Sequence, residues 1–218
     1  MTVSLEGFHA VKHALRFAPE LVRDIRVGDR DRARELADRL APDIAGALLA
    51  RATEAPVPHP TGVCAVAERP VEDRGVLTSR GTPLVLLDAP RSPGNAGAVV
   101  RVAAAAGASG VATTGTLDPW HPAVLRGSAG LHFALPVLRV DVDEVTGPLL
   151  VLDGGGDPLR QVPDDAVLIV GSERAGVGDV LRGRADARVA LPMREGVSSL
   201  NLATAVAAVL YAWRLGRP

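Results

Sequence analysis

Cysteine is almost missing from this chain of 218 residues, and neither sign of charge is in excess. Because Cys64 is the only cysteine, an internal disulfide and a cysteine-based metal cluster are both excluded. The 24 basic and 25 acidic residues give a formal net charge of −1, so the chain lacks the strongly basic signature of a histone-like or non-specific nucleic-acid-binding protein. This balance still allows a local basic patch.

Apolar runs of membrane-spanning length are absent, and so is a charged-then-apolar segment at the N-terminus. We therefore expect a soluble, cytoplasmic protein with no membrane partner. Lysine is scarce as well, because Lys12 is the only one and every other basic residue is an arginine. Arginine suits bidentate phosphate contacts, although a high-GC codon bias explains the same usage.

Several common catalytic and nucleotide-binding motifs are missing too. The glycines of residues 168–178 are not followed by the Lys-Ser/Thr pair of a Walker phosphate loop, and no dinucleotide-binding G-x-G-x-x-G stands between a strand and a helix. No G-x-S-x-G nucleophile motif occurs either. The histidines are too scattered to suggest a metal site, so we expect no metal: they are His9, His13, His59, His121 and His132.

Apolar strands alternate with loops and helices from residue 83 onward. The run PLVLLD at 83–88 is continuous and ends in Asp, which is typical of a strand buried on both faces. This alternation predicts an α/β fold with a parallel sheet and helices on both faces. Further strands are predicted at 110–114, 135–140, 149–156 and 166–173, and helices at 98–106, near 122–130 and at the end of the chain.

A smaller α/β unit is predicted at residues 1–69, followed by a linker at 70–82 and the larger domain at 83–218. Residues 4–17 are predicted to form an amphipathic helix capped by Ser4. The remaining elements of this unit are strands at 22–27 and 63–67, a solvated helix at 30–41 and a proline-rich loop at 53–62.

Ligands of open α/β sheets bind at the carboxyl ends of strands, so the loops after the strands are the candidate sites. In the first such loop, Asn95 stands at a helix start and can be read as an N-cap, while Arg101 is a lone charge among valines and alanines. Arg101 is either a surface charge or a ligand-binding group. The second loop, 168–178, combines several glycines with Glu173 at the end of a strand.

The third stretch leads into the C-terminal helix. Ser198 or Ser199 is a natural N-cap for this helix, and Leu202 begins its apolar face. An ordinary core helix with a cap explains the pattern. Alternatively, Ser199 and Asn201 line a site at the helix start. The triple glycine at 154–156 is predicted to be only a flexible turn.

Together these three stretches resemble the SpoU/TrmH family of RNA 2′-O-ribose methyltransferases, within the SPOUT class. The resemblance covers about residues 83–215. The N-terminal part of the chain, with the segments EGFHAV and HPTGVCAV, resembles an L30e-like substrate-binding domain. The matching positions are Asn95, Gly97 and Arg101, then Gly171, Ser172 and Glu173, then Pro192, Met193, Ser199, Leu200 and Asn201.

The resemblance implies a C-terminal trefoil knot that binds S-adenosylmethionine. It also implies that the substrate is RNA and that the protein is a homodimer. It assigns Arg101, Asn95, Glu173, Ser199 and Asn201 to catalysis. It assigns cofactor contacts to Gly154, Val170, Gly171, Ser172, Gly176, Leu191, Met193, Ser199 and Leu200.

The family assigns the arginine at position 101 the task of helping the ribose hydroxyl lose its proton. A guanidinium stays protonated in proteins, so we interpret Arg101 as a stabiliser of the developing 2′-oxyanion. The L30e-like unit favours ribosomal RNA, in a housekeeping or an antibiotic-resistance role. A tRNA methyltransferase and a non-catalytic knotted RNA-binding protein are the alternatives. A generic nucleotide-binding module would need the phosphate loop that is missing.

The presumed RNA-binding unit is not basic, since residues 1–80 carry 12 Arg/Lys against 12 Asp/Glu. RNA affinity normally depends on phosphate neutralisation. We therefore expect binding through a clustered patch, dimerisation or recognition of RNA shape. Arginines near 23–34 and 182–188 are candidates, although a solvated charged face is the favoured interpretation of each group.

Overall fold

The computed structural model describes residues 1–172 and 175–217. The N-terminal unit is a four-stranded sheet of order β1-β4-β2-β3 covered by three helices, and only the β2–β3 pair is parallel. Its elements are β1 (Thr2–Glu6), α1 (Phe8–Phe17), β2 (Val22–Val27), α2 (Arg30–Leu40), α3 (Pro42–Arg51), β3 (Ala52–Glu54) and β4 (Val63–Glu68).

The larger unit is a six-stranded, all-parallel sheet of order β10-β8-β9-β5-β6-β7, which confirms the predicted α/β class. Its central strands β9 and β5 are almost fully buried, as their continuous apolar sequences predict. The elements are β5 (Leu84–Asp88), α4 (Pro93–Ala106), β6 (Gly110–Thr113), α5 (Pro122–Gly127), β7 (Val137–Arg139), β8 (Leu149–Pro158), β9 (Val167–Gly171), α6 (Asp179–Arg184), β10 (Ala187–Ala190) and α7 (Leu202–Leu215).

The predicted start of the first helix is wrong. Residues 2–6 form β1, in which Val3 and Leu5 are buried and the residues between them are exposed. This two-residue alternation fits a strand paired with β4, so Ser4 caps nothing. Gly7, at φ 88°, then turns the chain into α1.

The predicted caps of two later helices are also wrong. The N-cap of α4 is Ser92, whose Oγ accepts a hydrogen bond from the backbone N–H of Asn95 at 3.2 Å. The N-cap of α7 is Asn201, not Ser198 or Ser199, and its side-chain oxygen accepts from Ala203 and Thr204. Both side chains satisfy N–H groups that have no partner within the helix.

The triple glycine at 154–156 is not merely a turn, because β8 continues through it to Pro158 and pairs with β10. A Cβ at Gly156 would lie 2.6 Å from the backbone carbonyl carbon of Arg188. The close approach of these two backbones therefore requires glycine at this position.

The two units share one apolar core, since a single cluster of buried side chains runs from β1 and α1 to α7. The segment at 70–82 is anchored to the larger unit: Leu77 is buried there, and the Arg80 guanidinium donates to the carbonyl oxygens of Leu77 and Asp165. The Trp213 ring is buried in the core of this chain, and its Nε1–H donates a hydrogen bond to Asp164 at 2.7 Å.

Candidate functional site

A cavity of about 460 Å³ lies between the end of β9, the glycines of β8 and the segment that leads into α7. All nine residues that the resemblance assigned to cofactor contacts line it: Gly154, Val170, Gly171, Ser172, Gly176, Leu191, Met193, Ser199 and Leu200. Residues from three separate parts of the chain therefore meet at one place. The cavity is also lined by Leu152, Asp153, Ser198, Asn201, Leu202 and Ala205.

One wall of the cavity is a tight loop that follows β9. Ser172 and Gly176 exchange two backbone hydrogen bonds of 3.1 and 3.0 Å, which closes the loop on itself. A Cβ at Gly171 would lie 1.9 Å from the carbonyl carbon of Gly176, and Gly176 itself has φ 68°. Both glycines are required by the backbone here, and they leave it accessible to a ligand. Glu173, predicted to be catalytic, lies outside the described residues.

The adjacent part of the cavity lining, in the neighbouring strand β8, includes Asp153, a residue that the motifs did not indicate. Its carboxylate accepts a hydrogen bond from the Gly155 N–H at 3.0 Å and pairs with Arg182 at 3.2 Å and Arg188 at 3.0 Å. The Gly155 hydrogen bond and the two guanidinium groups hold the pKa of Asp153 below its usual range. The sequence feature that could have identified Asp153 is its position at the end of an apolar run, directly before three glycines.

Asn95 and Asn201 connect the first and third motifs. The Asn201 Nδ2 donates to Asn95 Oδ1 at 3.1 Å, while the Asn201 Oδ1 caps α7. Asn201 and Ser199 line the cavity, so Asn95 is linked to it through Asn201. The structure thus brings together three of the residues predicted to be catalytic.

Arg101 lies on α4 with its side chain exposed, outside the cavity lining. One turn earlier, Gly97 packs directly on α5, where an added Cβ would lie 2.4 Å from the Val124 carbonyl oxygen. Gly97 therefore serves the close packing of α4 on α5. The helix α4, which carries Arg101, and the helix α1 both pack on residues 131–133. Burial, followed by the charges of Lys12 and Arg101, lowers the pKa of His9 on α1.

Asp88 fixes the neighbouring strand ends, and the sequence analysis had given it no such role. One carboxylate oxygen accepts from the Thr114 hydroxyl at 2.6 Å, and the other accepts from the Gly178 N–H at 2.7 Å. The ends of β5 and β6 are thereby tied to the loop after β9, which forms a wall of the cavity. A carboxylate that uses both oxygens in this way positions backbone and needs no ligand of its own.

Among residues 1–172 and 175–217, no group of three or more His, Cys, Asp or Glu side chains is arranged to hold a metal ion. Within the same ranges, every helix is too short or too polar to cross a membrane.

Comparison with known proteins shows which family this chain is similar to. The model of the SpoU rRNA Methylase family matches residues 82–211. The 23S rRNA (guanosine(2553)-2'-O)-methyltransferase RlmP of Bacillus subtilis is 33% identical over 224 aligned residues, which cover 96% of this chain and 87% of that protein. The crystal structure of the SpoU methyltransferase AviRb from Streptomyces viridochromogenes is 30% identical with a TM-score of 0.77, covering 96% of this chain and 87% of that chain. The AviRb complex with AdoMet is 27% identical with a TM-score of 0.74, covering 96% and 88% respectively.

Proposed function

This chain belongs to the SpoU rRNA methylase family, and from that premise we propose that it transfers a methyl group from S-adenosylmethionine to a ribose 2′-hydroxyl of ribosomal RNA. The observation that carries the proposal is the convergence of all nine predicted cofactor-contacting residues on one cavity of about 460 Å³. The Bacillus subtilis relative is named for action on 23S rRNA, which favours ribosomal RNA over tRNA.

The cavity suits S-adenosylmethionine in size and chemistry. Its volume falls in the range of small-molecule sites, roughly 300–1,000 Å³. Leu152, Leu191 and Leu200 offer apolar contacts for an adenine ring, and the bare backbone at Gly171 offers peptide groups for hydrogen bonds. Asp153 also lines the cavity, and its carboxylate is held in place by the Gly155 N–H and by the Arg182 and Arg188 guanidinium groups.

The family architecture extends the proposal to a trefoil knot in the larger unit. In support, β9 lies between β8 and β5 in the sheet, and the later segment 191–201 returns to the cavity beside them before α7 packs on α4. We also propose that residues 1–69 are an L30e-like RNA-binding domain, joined through 70–82 to the catalytic domain at 83–218. The exposed side chains of Tyr211 and Leu215 on α7 support a homodimer.

The chain's own residues perform the alignment and charge stabilisation that the reaction needs. S-adenosylmethionine supplies the electrophilic methyl group. Asn201 and Asn95, held by their mutual hydrogen bond, orient the ribose beside the cavity. Arg101 would stay protonated and stabilise the negative charge that develops on the 2′-oxygen while the hydroxyl proton passes to solvent water.

Methyl transfer from labelled S-adenosylmethionine to purified ribosomal RNA and to bulk tRNA, followed by digestion to nucleosides, tests this function. A 2′-O-methylated nucleoside in ribosomal RNA alone is the expected result. Label in tRNA alone would support the proposed reaction but refute ribosomal RNA as the substrate. If neither naked RNA nor ribosomal particles were methylated while the cofactor still bound normally, the non-catalytic RNA-binding alternative would be favoured.

The variant Arg101→Ala tests the role of the guanidinium. We expect methyl transfer to fall by about 10²–10³-fold, as when one oxyanion-stabilising group is removed from an enzyme. S-adenosylhomocysteine binding, measured by calorimetry, should stay unchanged because Arg101 does not line the cavity. Arg39→Ala removes an exposed charge in the last turn of α2 and serves as the matched control. Full turnover by Arg101→Ala would refute the assigned role.

A further inference from the structure

The first helix of the N-terminal unit is docked directly on the catalytic unit. A ring nitrogen of His13, Nδ1, lies 2.8 Å from the carbonyl oxygen of Ala129. A Cβ at Gly130 would lie 2.7 Å from the carbonyl oxygen of Ala10, so the backbones of α1 and the 129–130 turn are in close contact. The position of α1 relative to the catalytic unit is therefore fixed by packing.

This docking brings α1 to the part of the catalytic unit that carries Arg101, because α1 and α4 both pack on residues 131–133. Gly97, one turn before Arg101 on the same face of α4, packs on α5, and α5 leads into the turn that contacts α1. His9 and Lys12, three residues apart on α1, share one helix face. The Arg101 charge acts on both residues: burial is the largest cause of the lowered pKa of His9 and of Lys12, and Arg101 lowers both further.

The surplus charge of this surface belongs to Lys12 and Arg101. The flanking charges form two ion pairs, Arg16–Asp43 at 2.6 Å and Arg126–Glu6 at 3.9 Å. Each pair cancels one positive and one negative charge, so these four side chains add no net charge. Cationic side chains such as Lys12 and Arg101 are the groups that bind RNA backbone phosphates.

We propose that Lys12, together with Arg101, binds the RNA backbone phosphate next to the ribose that is methylated. This inference rests on the proposed function and deepens it, because it names a residue of the N-terminal unit that completes the active site within one chain. His9 adds a ring N–H donor beside the two cations. The proposal also explains how a chain of formal net charge −1 binds RNA, since the positive charge is concentrated at the reaction site.

The salt dependence of RNA affinity tests the contact. Lys12→Met removes the charge and keeps most of the apolar stem, and Lys12→Arg is the rescue variant. Arg39→Ala, in the last turn of α2, removes one exposed charge elsewhere in the same unit and is the matched control. Dissociation constants for an unmodified 23S rRNA transcript are measured over a range of salt concentrations, with S-adenosylhomocysteine affinity measured in parallel.

We expect Lys12→Met to weaken RNA binding about tenfold at low salt and to lower the slope of log K against log salt by roughly 0.7–0.9, the value of one phosphate contact. Cofactor affinity, the control variant and Lys12→Arg should match the wild type. An unchanged slope for Lys12→Met overturns this proposal, even if methyl transfer is intact. A lowered slope in a protein that methylates no RNA supports the contact and counts against the proposed function alone.

Discussion

At the scale of single residues, Asn201 performs two tasks that require an amide. Its Oδ1 accepts hydrogen bonds from the N–H groups of Ala203 and Thr204, and its Nδ2 donates to Asn95 at 3.1 Å. A serine at this position would supply the cap acceptor from a shorter side chain, and an aspartate would have no donor for Asn95. Helix start and site geometry are therefore coupled in one side chain.

Two variants separate these tasks. Asn201→Asp keeps an acceptor for the cap but loses the donor, so we expect near-normal stability and at least tenfold slower methyl transfer. Asn201→Ala loses both and should also lower the free energy of unfolding by about 1 kcal/mol. Urea denaturation and methyl-transfer assays check the two effects.

The matched control is Asp29→Ala, which removes the cap that accepts from the Arg32 N–H in α2, far from the site. This variant should lose similar stability and keep its activity. Wild-type turnover by Asn201→Asp would show that the hydrogen bond to Asn95 has no role in the reaction.

At the scale of elements, hydrophobic patterns predicted the strands better than the helix starts. The apolar runs at 84–88 and 167–171 could only be buried strands in this alternating chain, and both are. β1 was missed because Leu5, three residues before Phe8, also continues the apolar face of α1, and only pairing with β4 selects the two-residue alternation. Caps were misplaced because a cap depends on which side chain reaches the free N–H groups.

The same limit applies to the site. All nine residues assigned to cofactor contacts line the cavity. Asp153 and Asp88 were not identified, since most of their partners lie far away in the sequence. Gly155 is the one partner of Asp153 that the sequence placed nearby. A residue that positions backbone far away in the sequence cannot be recognised from sequence spacing, because only the fold brings the two partners together.

Gly171→Ala tests the loop after β9 as an element. The added Cβ would lie 1.9 Å from the Gly176 carbonyl carbon, so the loop must move. We expect a loss of stability of about 1–3 kcal/mol, as for other overpacked sites, and at least tenfold weaker S-adenosylhomocysteine binding. Thermal unfolding and calorimetry measure the two quantities.

Gly183→Ala in α6 is the control, because a Cβ there would have no heavy atom within 4 Å. Alanine at this helical position should leave cofactor affinity unchanged and stability equal or slightly higher. If Gly171→Ala bound the cofactor as the wild type does, the loop backbone would not be part of the binding site.

At the scale of the whole molecule, the region between the two units is closed by a buried polar centre. His132 is fully buried against Trp120, and its Nε2 lies 2.8 Å from the Pro119 carbonyl oxygen. A carbonyl oxygen only accepts, so Nε2 carries the proton of the neutral ring, and Nδ1 lies 2.8 Å from Ser128 Oγ, whose hydroxyl is also 2.9 Å from the Leu125 carbonyl oxygen. Arg69, at the end of the N-terminal unit, pairs with Asp118 at 3.1 Å and lies over Trp120.

This centre makes the stability of the molecule depend on pH. Burial lowers the pKa of His132 from 6.5 to about 4, so the unfolded chain takes up a proton below pH 6.5 that the folded chain refuses until about pH 4. The contribution of His132 is therefore fully present above pH 6.5 and is lost as the pH falls towards 4. The difference between the two limits is roughly 3 kcal/mol, since one pKa unit corresponds to about 1.4 kcal/mol.

Urea denaturation of the wild type and of His132→Gln at pH 7 and pH 4.5 isolates this contribution. Glutamine stays neutral throughout and can still donate to Pro119, so the variant should lose less stability on acidification than the wild type. Carboxylates whose pKa values are lowered by ion pairs, such as Glu68 beside Arg23, also destabilise the protein in acid, but they do so equally in both proteins. The wild type should therefore lose roughly 2–3 kcal/mol more than the variant over this interval. Equal losses would mean that His132 is protonated in the folded protein at pH 4.5, and the buried neutral ring would no longer explain the packing of the two units.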